Sequence, residues 1–183
     1  MGGFNALFLV YIGIVSTSFF GLLSLLFAID PEALRDRFGA RTPTRLVSGF
    51  LIGISLLFIF MWGGMSISSA TARTRPEEVL REVVIIDCTI LLPLLFFGGV
   101  RLWRREPWGY VLGGLLLVKV LATGSTLAFT TALGAWWAGK LAPFDAFLFV
   151  LFALMAVGAL LLIVPYLRSV DEGGRKTGSI LGR

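Results

Sequence analysis

Two ionisable side chains interrupt long apolar stretches of the chain, Asp87 and Lys119. A charge at the centre of a bilayer costs roughly 2.5–3.5 kcal/mol on insertion scales, so such residues face a bundle interior and find a partner. Lys119, Thr123, Thr126 and Thr130 follow the spacing i, i+4, i+7, i+11, which is one face of a helix. Thr89, Ser55, Tyr11, Ser16 and Thr17 add to this polar set if their helices present them inward. Pro93 lies six residues after Asp87, where it bends a helix and frees a carbonyl. Two readings stand side by side. In one, the pair and the threonines are interhelical hydrogen-bonding glue. In the other, Asp87, Lys119, Thr123, Thr126 and Thr130 line a path for a substrate or a proton.

The rest of the side-chain inventory narrows the chemistry. There is no histidine, which excludes imidazole metal sites, His-ligated haem and Ser-His-Asp catalysis within the chain. The single cysteine, Cys88, excludes intrachain disulfides, Cys-rich zinc sites and self-contained iron–sulfur ligation. No catalytic residue, metal ligand or cofactor is assigned.

The elements that must position the pair are membrane helices. Of 183 residues, 57% are hydrophobic and 15% charged, with a mean hydropathy of +0.90. A soluble domain is about 45–50% apolar and about 25% charged. A span needs about 20 apolar residues. Five stretches qualify: residues 4–29, 46–66, 83–103, 108–136 and 144–167. The fourth is long and carries Gly113, Gly114, Gly124 and Gly134, so it extends past the hydrocarbon, tilts or bends. The first has no basic residue before it and no small-residue cleavage site after it, which favours a retained span over a signal peptide. The reading is an all-α integral membrane bundle of about five helices forming one domain over residues 1–170, followed by a mobile basic tail over 171–183.

Charge orients the bundle. With the N-terminus outside, the inner segments hold Arg35, Arg37, Arg41, Arg45, Arg101, Arg104, Arg105, Arg168, Arg175, Lys176 and Arg183. The outer ones hold Arg73, Arg75, Arg81 and Lys140. Eleven against four places the C-terminus in the cytoplasm and suits a plasma (inner) membrane. Topology accounts for most of the net charge of +5, so nucleic acid is not an expected partner. The expected partners are the lipid bilayer and either another membrane protein or further copies of the chain.

Smaller signals decorate the loops. Asp30 is an N-cap, Pro31 a first helical residue and Gly39 a stop, which predicts a short interfacial helix with Leu34 and Phe38 on one face. Pro76 with Glu77 and Glu78 predicts a helix start, with Glu77 and Arg81 spaced to pair and Glu78 and Glu82 on one face. Gly49 and Gly53, and Gly109 and Gly113, are GxxxG pairs that let helices pack closely. Trp103 and Trp108, with Arg101, Arg104 and Arg105, suit an anchor at the lipid interface.

The depth of the pair follows from the short connection Arg104–Pro107, which makes the third and fourth spans antiparallel neighbours. Asp87 lies fifteen residues from Leu102, and Lys119 twelve from Pro107. At about 1.5 Å per residue their depths differ by about 4–5 Å, within reach of a lysine. This predicts an Asp87–Lys119 ion pair or a water-bridged equivalent.

Asp87 with Pro93, the run Leu102-Trp103-Arg104-Arg105-Glu106-Pro107-Trp108-Gly109-Tyr110-Val111-Leu112, and Leu117-Val118-Lys119 resemble a group of small uncharacterised prokaryotic polytopic membrane proteins. The segment from Asp30 through Gly39 and the following span to Trp62 are similar to the same group. The resemblance covers about half the chain. It implies a multi-span inner-membrane protein with Asp87 and Lys119 inside its motif, and it implies no activity. Three functions remain: a non-catalytic membrane subunit or scaffold, a small oligomeric carrier or channel, and a membrane enzyme using carboxylate or lysine chemistry.

Overall fold

The structure, a computed structural model, describes residues 8–39, 42–72, 84–139 and 143–180. Every regular element among them is helical. α1 is Phe8–Ala28, α2 Pro31–Asp36 and α3 Thr44–Ala72. α4 runs Val84–Trp103 and contains a π turn at Asp87–Leu91. α5 is Pro107–Ala138 and α6 Pro143–Ile180. Five of these are long and apolar enough to cross a membrane, as the five apolar stretches predict. α5 is unbroken despite its glycines and, at about 1.5 Å per residue, is about 48 Å long. That is longer than a hydrocarbon core of about 30 Å is thick. α6 stays helical to Ile180, beyond the apolar stretch. Glu77, Glu78, Arg81 and Glu82 lie outside the described residues.

Four long helices form the bundle. α5 packs most extensively on α6, and α3 on α4, with α4 against α5 joining the pairs. The core gathers Leu51 and Phe58 of α3, Leu92 and Leu95 of α4, Leu116 and Leu117 of α5, and Met155 and Ile163 of α6. α1 stands apart. None of its residues in the span Leu9–Ala28 is buried, and it meets the other helices only sparsely.

Glycine decides how close the helices come, but only at some positions. A Cβ on Gly109 would strike the backbone of Arg101 and Leu102, and one on Gly113 would sit 2.8 Å from Leu102 Cδ2. That pair is a true close contact. Gly49 and Gly53, expected to do the same, face open space, with nothing within 4 Å of an added Cβ. Packing elsewhere falls to glycines outside a GxxxG pair. Gly99 approaches the Ser48 carbonyl, Gly124 the backbone of Phe152 and Ala156, and Gly158 the Phe50 ring.

α2 starts as its sequence predicts. The Asp30 carboxylate accepts from Glu32 N and Ala33 N at 3.0 and 3.2 Å, with Pro31 at the first turn. Its end differs. The helix stops at Asp36, and the Gly39 N–H donates instead to the Ser169 carbonyl of α6 at 3.0 Å. Phe38 follows, packing its ring 4.8 Å from Tyr110 and 5.0 Å from Tyr166, while Tyr166 Oη donates to the Tyr110 carbonyl at 2.7 Å. The segment is thus pinned onto the end of the bundle rather than lying free beside it.

Candidate functional site

Asp87 is the first residue of the π turn. Proline has no N–H and its ring clashes with the carbonyl four residues back, so Pro93 disfavours regular α-geometry over the preceding turn. The chain accommodates it by widening: the Leu92 N–H bonds the Asp87 carbonyl, five residues back. A π turn inserts about one extra residue, which rotates everything before it by about 100° relative to the rest of the helix. Ser55 fastens the same region, its buried hydroxyl donating to the Leu92 carbonyl at 2.8 Å.

Asp87 and Lys119 meet at a shared wall. Both line a cavity of about 60 Å³ inside the bundle, together with Thr123, Phe58 and Phe152. Both also line a larger cleft of about 540 Å³, walled by Ile86, Ile90, Leu94, Val118 and Ala122, with Leu22 of α1 at its edge. The pair therefore divides the bundle interior from a cleft on its flank. Asp87 is half-buried, and Lys119 is exposed at the cleft.

Of the two forms the sequence predicts, a direct ion pair or a water-bridged equivalent, the direct pair is not formed; Arg35–Asp36 and Arg101–Glu106 are the ion pairs among the described residues. The smaller cavity has room for water, which needs about 10–15 Å³ of such space, so a bridged pair fits the geometry. Trp62, which the sequence suggests only as the end of a span, belongs to the site. Its Nε1 is buried and lies close to the Asp87 carboxylate, short of full hydrogen-bond geometry. An indole N–H can only donate, so Asp87 is its natural acceptor once either side chain shifts.

The threonine stripe divides. Thr123 joins the cavity. Thr126 and Thr130 share its helix face but lie one to two turns on, exposed, and neither lines the cavity or the cleft. Thr130 Oγ1 donates to the Leu127 carbonyl of its own helix at 3.1 Å. Tyr11, Ser16 and Thr17 are exposed on α1, and Thr89 is exposed on α4. At the opposite end of α4, Arg101, Trp103, Arg104, Arg105 and Trp108 all lie on the surface, where Arg101 pairs with Glu106 at 3.7 Å.

What the arrangement offers chemically is one acid, one ammonium and one indole donor at the edge of an apolar cleft. Comparison with family models, curated proteins and solved structures gives no match, and the reading of the site rests on its geometry.

Proposed function

We propose that the chain is a non-catalytic subunit of a membrane assembly, and that the Asp87–Lys119 cleft is the face that seats its partner. One observation carries this reading: Lys119, midway along a membrane-length helix, is exposed at a cleft on the flank of the bundle. Left against hydrocarbon, such a charge costs roughly 2.5–3.5 kcal/mol. A partner that covers it with a carboxylate removes that cost. The bias of basic residues supports an orientation with the N-terminus outside and the C-terminus in the cytoplasm, in an inner membrane. The test is gentle extraction from native membranes through a C-terminal tag. A stoichiometric protein partner, of this or another chain, is the expected result; a lone monomer that stays folded overturns the proposal.

The internal cavity favours a second reading, a small carrier or channel whose path runs past Asp87, Lys119 and Thr123. On that reading Asp87→Asn or Lys119→Met abolishes flux in liposomes while the fold survives. Unchanged flux in both variants removes these residues from any path.

A further inference from the structure

We infer that the partner seated on this cleft is a second copy of the chain, in a two-fold dimer whose axis runs along the membrane normal, with Asp87 of each copy facing Lys119 of the other. The inference rests on the subunit reading above and gives it a partner. Three observations carry it. First, the cleft presents one anion and one cation side by side, Asp87 on α4 and Lys119 on α5. A two-fold axis places residue i against residue j and j against i, so a patch with one charge of each sign complements itself. Second, an axis along the normal preserves depth. Counted along the helices from the α4–α5 turn, and allowing for the extra residue of the π turn, the two residues differ in depth by about 3 Å, so each Lys119 meets the other copy's Asp87 at nearly its own level. Third, Lys119 is exposed and makes no ion pair among the described residues, while the walls beside it, Ile90 and Val118, are apolar and also exposed. Those walls supply the rim that shields a reciprocal pair from lipid. An unrelated chain would need its own acid and base in matching order; a second copy carries them already.

The test uses the full chain in native membranes, with Cys88→Ser as background. Val118→Cys, at the cleft wall, is expected to form an intermolecular disulfide under mild oxidation. Leu161→Cys, exposed on α6 and outside the cleft, is not. Asp87→Lys gives a chain with two cations in the cleft and Lys119→Asp one with two anions. Each alone is expected to lose cross-linking at least ten-fold. Co-expressed with different tags, the two are expected to recover it only as mixed dimers. Val118→Cys without charge changes keeps the test independent of whether the swaps fold.

Equal cross-linking at Val118 and Leu161, or folded swaps that never recover as mixed dimers, overturns the reciprocal pairing. If extraction retains a different polypeptide, lost on Lys119→Asp, the second copy is wrong and the subunit reading stands. If no protein of any kind is retained, both fall.

Discussion

Two alanine substitutions separate a glycine that holds helices together from one that does not. At Gly109 an added Cβ would stand 2.5 Å from the Arg101 carbonyl carbon and 2.6 Å from Leu102 Cα. Carbon atoms rest at about 3.5–4.0 Å, so α4 and α5 must part by about 1 Å. The obstruction is backbone, which cannot rotate away. Overpacking of this kind costs about 1–3 kcal/mol. Alanine's advantage over glycine in a helix returns up to about 1 kcal/mol. Taking the upper part of that range, Gly109→Ala loses about 2 kcal/mol net. At Gly49 nothing lies within 4 Å, so alanine brings only the helix advantage, up to about 1 kcal/mol. The gap of about 3 kcal/mol is on the order of 100-fold in the unfolding equilibrium constant, at 1.36 kcal/mol per factor of ten. Reversible unfolding in mixed micelles, titrated with a denaturing detergent, reads it directly. If Gly109→Ala proves no less stable than Gly49→Ala, the close approach of α4 and α5 is wrong.

Three further outcomes follow from individual contacts. Arg105 is left-handed, with φ 57°, and the Arg105 and Glu106 N–H groups bond the Leu102 and Arg101 carbonyls, the position glycine usually fills at a helix end. Arg105→Gly should stabilise the protein by about 1 kcal/mol and Arg105→Val destabilise it, measured by thermal unfolding in detergent. Phe38→Ala removes the ring that pins α2 to Tyr110 and Tyr166, so hydrogen exchange over residues 31–39 should rise many-fold while the core of α5 keeps its protection. Unchanged exchange there would show that α2 is held by other contacts. Ser55→Ala and Tyr166→Phe each remove one buried hydrogen bond between helices and should each cost about 0.6 kcal/mol, up to about 1.7, in the same micelle titration.

The cleft is a different kind of feature from these packing contacts. Leu92, Leu95, Leu116 and Leu117 are almost completely covered, so the bundle is well closed around them. Beside that closed core, Lys119 and the apolar cleft walls are left open. The internal cavity and the cleft share Asp87, Leu91 and Lys119, so covering the flank also changes the surroundings of the cavity.

The five spans were legible in the sequence because hydrocarbon imposes a length and a composition that few other folds meet. The Asp30 cap and the approach of Asp87 to Lys119 were legible for a different reason, since capping and helical rise act locally. Glycine contacts were not. Gly49 and Gly109 both begin a GxxxG pair, and only the path of the neighbouring helices makes one a contact and leaves the other open. The threonine stripe is one face of α5, as its spacing requires, yet the cavity reaches only Thr123, because how far a neighbouring helix covers a face depends on where that helix runs. Trp62 and Asp87 lie twenty-five positions apart in the chain and come together only across the α3–α4 contact, which no local pattern encodes.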